Sequence, residues 1–247
     1  SAPMPMSAQS SHTENMPSSS TLSPHRIHPL QWAMAACGVL AMFSAHWGYF
    51  SAYALFKPLT MVLALICVGV VAGRSPLKKS MYLLLAGLAL SMVGDVCLLM
   101  PQGFLAGLVA FLLAHVCYIA LFQRDAPWLA SRWGLAACIA AGAVAYGYLW
   151  THGLPTAMRI PVAIYVLVIG LMAAQALGRA TVLHTAAART VAWGAVSFMV
   201  SDTVLALDRF VQPIAGAYLW VLGTYYLAQC LILHGMLQTL RAASLKQ

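Results

Sequence analysis

Residues 80–123 read SMYLLLAGLALSMVGDVCLLMPQGFLAGLVAFLLAHVCYIALFQ. Two apolar runs, 80–100 and 103–123, flank Pro101 and Gln102. Each is long enough to cross a bilayer core, which takes about 20 residues of helix. The only formally charged side chain in the whole stretch is Asp95. In lipid the backbone polar groups must be satisfied within the segment, so each run reads as a helix and the pair as a membrane hairpin.

The same pattern continues outward on both sides. Further apolar runs lie at about 30–50, 53–73, 133–151, 159–178, 189–207 and 214–238. The predicted fold is therefore all-α: a polytopic integral membrane protein with eight transmembrane helices. Connections are short, so helices adjacent in sequence pack as antiparallel hairpins. The composition agrees. Of 247 residues, 62% are hydrophobic and 7% charged, against about 25% charged in soluble domains. A soluble enzyme is excluded, and the net charge of +8 points to topology, with no nucleic-acid partner implied. Residues 1–28 are rich in Ser, Pro and Met and read as a disordered polar tail. The transmembrane domain is expected over 29–240, with a short tail at 241–247. Six cysteines stand singly in apolar runs and suggest no disulfide framework.

Arg26, the apolar run after it and Phe43-Ser44-Ala45 loosely resemble a signal peptide. Basic residues argue that the first span is retained. If both termini and every second loop share one side, that side holds Arg26, Arg74, Lys78, Lys79, Arg124, Arg132, Arg179, Arg189, Arg241 and Lys246. The other side holds Arg159 and Arg209, while Lys57 falls inside a span. This bias places both termini in the cytoplasm and requires an even number of spans. A weak echo adds a possible parallel 4+4 repeat: Tyr118 follows Asp95 by 23 residues, and Tyr225 follows Asp202 by the same interval.

An acid within a span costs about 2.5–3.5 kcal/mol on insertion scales, which makes it a functional candidate. Glu14 falls in the tail, and Asp125 and Asp208 sit beside Arg124 and Arg209 as loop charges. Asp95 and Asp202 remain. Each lies six residues, or about 9 Å of helix rise, from the expected outer end of its span. Near that layer fall Lys57, at the outer end of the second span, and Ser91, one turn before Asp95. His115 with Tyr118, Tyr165, Tyr226, and Tyr225 with Gln229 are the other polar candidates. Lys57 is either a snorkelling lysine or the partner of an Asp or a phosphate. Trp32, Trp47, Trp128, Trp133, Trp150 and Trp220 lie near span ends, as an aromatic belt does. Asp95, Asp202 and His115 lack zinc-ligand spacing, so no metal and no cofactor is expected.

Taken in order, Lys57-Pro58-Leu59, Ser91-x-x-Gly94-Asp95, Phe111-x-x-x-His115-x-x-Tyr118, Ser201-Asp202 and Tyr225-Tyr226-x-x-Gln229 resemble the YhhN-like membrane family over roughly residues 50–235. The characterised members of that family are lysoplasmalogenases. The resemblance implies hydrolysis of the vinyl ether bond of a lysophospholipid, releasing a fatty aldehyde and glycerophospho-ethanolamine or -choline. Such hydrolysis begins with proton transfer to carbon and passes through an oxocarbenium-like ion, as in glycosidases. Two close carboxyls in a low-dielectric site can share one proton, so Asp95 and Asp202 are the expected catalytic pair. Lys57, Ser91, His115, Tyr118, Tyr165, Tyr225, Tyr226 and Gln229 are the expected substrate-binding set. The Ala-rich chain suggests a bacterial inner membrane, with surrounding lipids as its other partners. The main competing reading is a proton-coupled transporter of a lipid or amphiphile, which calls for helices broken at mid-span. A structural membrane protein without catalysis is the third.

Overall fold

The computed structural model describes residues 28–73 and 75–245. Among them the chain forms eight helices: α1 Pro29–His46, α2 Phe50–Ala72, α3 Lys78–Leu98, α4 Phe104–Phe122, α5 Arg132–His152, α6 Thr156–Leu183, α7 Ala186–Phe210 and α8 Ala217–Ser244. Seven of these, α2 to α8, are long and apolar enough to cross a membrane. The protein is an integral membrane protein. The expected tail at 1–28 lies outside the described residues except for His28. That residue caps α1 by accepting a hydrogen bond from Leu30 N, while Gln31 accepts one from His28 N.

Each helix packs chiefly on its sequence neighbour, as short connections dictate. α8 also touches α1, α2 and α3, and α6 also touches α4. The contact order 1–2, 2–3, 3–4 recurs as 5–6, 6–7, 7–8, as a repeat would have it. Across the halves the symmetry is incomplete. The α2–α8 contact has its counterpart in α4–α6, but α8 also grips α1, and α4 does not touch α5.

Close approach depends on glycine, because small residues let helices associate where lipid offers no hydrophobic drive. A β-carbon on Gly194 of α7 would lie 2.9 Å from the Ala228 carbonyl oxygen of α8. One on Gly235 would lie 2.6 Å from the Ala187 carbonyl oxygen. The interior is filled by Met34, Met61, Leu84, Leu88, Phe122 and Leu233. The outer face carries exposed Val70, Tyr82, Val144 and Ile160. The six tryptophans of the expected belt are all exposed.

Three helices exceed their expected bounds. α6 begins at Thr156 and ends at Leu183, so Arg179, expected in a loop, is a buried helical residue. Asp125, also read as a loop charge, offsets it: Arg179 donates from Nε and Nη2 to the two carboxylate oxygens, each at 2.7 Å. Gln175 on the same helix accepts from Leu129 N at 2.7 Å and donates to the Pro127 carbonyl at 3.1 Å. The α4–α5 connection is thereby strapped onto α6. α7 runs to Phe210, which puts Asp208 and Arg209 in its last turn instead of a loop. α8 runs to Ser244, into the expected C-terminal tail.

Candidate active site

Gly94 precedes Asp95 on α3, and a β-carbon there would lie 2.6 Å from the Phe111 ring of α4. The missing side chain lets that aromatic close over the turn carrying the acid. Asp95 is 1% exposed. Lys57, buried in α2, brings its Nζ to 3.4 Å from Asp95 Oδ1. The Tyr225 hydroxyl of α8 donates to Asp95 Oδ2 at 2.6 Å. Gln229, one turn further along α8, donates to the Tyr225 oxygen at 3.4 Å and accepts from the Tyr118 hydroxyl of α4 at 3.0 Å. Lys57, Asp95, Tyr118, Tyr225 and Gln229 are therefore one continuous network drawn from α2, α3, α4 and α8. A buried ion pair holds only when further hydrogen bonds satisfy it, and here the tyrosine and the glutamine supply them. Ser91, one turn before Asp95, is fully buried.

Asp202 on α7 is built differently. It is partly buried and accepts a hydrogen bond from the Tyr165 hydroxyl of α6. It lies on the wall of a largely apolar cavity of about 200 Å³ between α4, α5, α6, α7 and the end of α3, together with Tyr165, Leu98, Phe104, Val162 and Phe210. Counted from the helix ends the two acids are not level. Asp95 is three residues from Leu98 and Asp202 eight from Phe210, or about 4.5 and 12 Å of rise. The equal-depth expectation placed the helix ends near Pro101 and Asp208, whereas α3 stops three residues before Pro101 and α7 runs two past Asp208. What keeps both acids in one region is a shared aromatic wall. The Phe198 ring centroid lies 5.4 Å from that of Tyr225 and 4.7 Å from that of His115, and His115 lies 5.4 Å from Tyr165.

His115 is fully buried on α4, and neither ring nitrogen has a hydrogen-bond partner among the described residues. The Tyr226 hydroxyl makes no hydrogen bond to either acid. Its ring packs beside Tyr225, and a β-carbon on Gly38 of α1 would come within 3.1 Å of it. Among the described residues no three His, Cys, Asp or Glu side chains gather as metal ligands.

Residues outside the expected catalytic and substrate-binding sets complete the site. Phe198 lies four residues before Asp202, and Phe111 four before His115, which is the spacing of a shared helix face. Tyr53, one turn before Lys57, presents its ring centroid 5.6 Å from the ammonium. A second cavity of about 250 Å³ is lined by Tyr53, Lys57, Asp208, Arg209 and Tyr218, and shares Leu98, Phe104 and Leu205 with the first.

A carboxyl at a largely apolar cavity, beside a second cavity lined by Lys57, Asp208 and Arg209, is thus set within a membrane protein. The sequence comparisons go further: the chain matches the YhhN family over residues 52–236 and belongs to it. It is 37% identical over 166 residues to a protein of Rattus norvegicus named lysoplasmalogenase TMEM86B, covering 67% of this chain and 64% of the rat protein. The human protein of the same name is 34% identical, over 72% of this chain and 74% of its own. A lysoplasmalogenase of Mycobacterium bovis is 29% identical over 83% of this chain and 80% of its own length. No solved structure matches the chain.

Proposed function

We propose that this protein is a membrane-embedded hydrolase that cleaves the vinyl ether bond of a lysoplasmalogen. It would release a fatty aldehyde and a glycerophospho-ethanolamine or -choline within a bacterial cytoplasmic membrane. The observation that carries this reading is Asp202 at the wall of an apolar cavity, bonded by Tyr165, with a polar cavity adjoining it. An alkenyl chain fits the first cavity and leaves its ether bond against the acid. The named relatives act in the same direction.

The two carboxyls then divide the work. Asp202, which no cation neutralises among the described residues, gives its proton to the alkene carbon remote from the ether oxygen. Tyr165 holds the carboxyl in position for that transfer. The resulting oxocarbenium ion is favoured by the negative charge of Asp202 and by the Asp95 carboxyl, which Lys57 and Tyr225 hold in place. Water adds to the ether-bearing carbon and returns a proton to Asp202. Collapse of the hemiacetal breaks the bond between that carbon and the glycerol oxygen, which leaves as a hydroxyl. His115, buried beside Tyr165 with both nitrogens open, is suited to orient the water. Tyr118 and Gln229 act through Tyr225, as positioning groups for Asp95.

The transport reading calls for helices broken at mid-span. α2 and α6 run unbroken through Pro58 and Pro161, which favours hydrolysis. Purified full-length protein in detergent, given lysoplasmalogen in heavy-oxygen water, is expected to release aldehyde while the liberated glycerol hydroxyl stays unlabelled. No aldehyde, or label in that hydroxyl, would overturn the mechanism. Turnover without two compartments excludes pure transport.

A further inference from the structure

Apart from Lys57, the lining of the second cavity takes no part in the chemistry above, yet it has the charge pattern of a ligand site. Arg209 stands at its rim with its guanidinium 5.1 Å from the Phe104 ring centroid. Phe104 belongs to the walls of both cavities, so the cation is fixed at their junction. Asp208 lines the same space. Its Oδ1 accepts from Ile214 N at 2.7 Å, which ties the loop after α7 to the end of that helix. Lys57, which also lines this cavity, is already engaged with Asp95. Arg209 is therefore the cation best placed for an incoming anion.

Spacing gives this substance. Arg209 follows Asp202 by seven residues on α7, which is close to two full turns, so the two share a face about 10 Å apart along the axis. In an alkenyl glycerophospholipid, seven bonds separate the carbon that takes the proton from the phosphorus, about 8 Å when extended at roughly 3.3–3.6 Å per three bonds. A lysolipid whose alkene carbon meets Asp202 thus delivers its phosphate to the guanidinium of Arg209. Arginine suits that role, since its planar fork can take a phosphate through two parallel hydrogen bonds.

We propose that the second cavity is the headgroup subsite: Arg209 receives the glycerol-linked phosphate, and Asp208 receives the ammonium of an ethanolamine headgroup. The assignment rests on the hydrolase reading for its substrate and deepens it, by placing phosphate recognition at the end of α7.

The test compares kcat/KM of the purified full-length protein for alkenyl-glycerophosphoethanolamine, alkenyl-glycerophosphate and alkenylglycerol. Arg209→Gln is expected to cut the preference for either phosphate-bearing substrate over alkenylglycerol by about tenfold or more, the size of a lost charge-assisted hydrogen bond. The loss should appear in KM. Arg209→Lys, which keeps the charge without the fork, should fall between. Asp208→Asn, which keeps an acceptor for Ile214 N, should lower the preference for the ethanolamine over the bare phosphate substrate. An unchanged preference ratio in Arg209→Gln, or an equal loss on all three substrates, overturns the subsite. A binding arm separates this from the hydrolase reading: titration with the ester lysophosphatidylethanolamine, compared with monoacylglycerol. If wild type releases no aldehyde but Arg209→Gln binds the phospholipid at least tenfold more weakly with monoacylglycerol binding intact, the hydrolase reading fails and the subsite stands. If neither ligand separates the variants, the subsite fails as well.

Discussion

Asp95 and Asp202 are both acids in membrane-spanning helices, and their surroundings are opposites. Asp95 is sealed. A lysine, a tyrosine and, behind them, a glutamine and a second tyrosine occupy it from three other helices. It lines neither cavity. Asp202 has one polar partner, Tyr165, and faces space that a substrate can fill. The same residue type is thus committed in one place and available in the other. A charge locked into a network is a poor proton donor but a steady source of field. A carboxyl at an apolar wall is able to give up a proton and take it back.

The comparison breaks most directly at Asp202. Asp202→Asn should lower kcat by about 10²–10⁴-fold, the usual worth of a positioned acid–base group, while thermal stability in detergent stays near wild type. Retention of near-wild-type turnover would remove Asp202 from the chemistry. Asp95→Asn should also lower turnover, but its signature is instability. It strands the Lys57 ammonium in the bundle, and breaking a buried pair by removing one partner costs about 3–5 kcal/mol. The double variant Lys57→Met/Asp95→Asn should recover most of the lost thermal midpoint and little of the turnover. If the double variant is no more stable than Asp95→Asn, the pair is not what holds the network.

How much of this contrast was legible in the sequence can be traced residue by residue. The spans follow from apolar length alone, since lipid leaves the backbone no alternative to helix. The two acids stood out because charge is so scarce. Three helix ends were misjudged because Arg179, the Asp208–Arg209 pair and Arg241 looked like boundary markers. Arg179 is tolerated inside α6 only because Asp125 reaches it from a connection far along the chain, and single-helix reading does not contain that partner. The rotation of each helix about its axis was equally hidden. The echo between Asp95–Tyr118 and Asp202–Tyr225 pointed to a parallel 4+4 repeat. In the fold Tyr118 serves Gln229, Tyr225 crosses to Asp95 and Tyr165 takes Asp202. Which acid meets the cavity depends on those cross-helix choices. One signal was available: Phe198, Asp202 and Arg209 share a face of α7 at helical spacing.

Two tyrosine variants sharpen the contrast at smaller magnitude. Tyr165→Phe removes the one polar contact of the available acid. A hydrogen bond to a charged group is worth about 1.5–3 kcal/mol, so kcat should fall by about tenfold or somewhat more, with thermal stability little changed. Tyr225→Phe removes one contact of several on the sealed acid and leaves the Lys57 pair in place. Its main effect should be a lowered thermal midpoint, with turnover reduced less than in Tyr165→Phe. The reverse order of the two effects on kcat would mean that Asp95, and not Asp202, is the proton donor.

The smallest effect is expected in the cavity itself. Ala145 of α5 lines the apolar space against Asp202, and Ala145→Phe would fill part of it. In water, losing room for a chain would cost about 0.8 kcal/mol for each methylene left unburied. Here the chain arrives from lipid, which is as apolar as the cavity, so most of that driving force is absent. The variant should change the kcat/KM ratio of long- to short-chain lysoplasmalogens only a few-fold, through shape alone. Recognition would then reside in the groups a bilayer core cannot satisfy, the ether and the headgroup. A ratio shifted by more than tenfold would mean that the cavity reads chain length, and that Asp202 is positioned by the fit of the chain as much as by Tyr165.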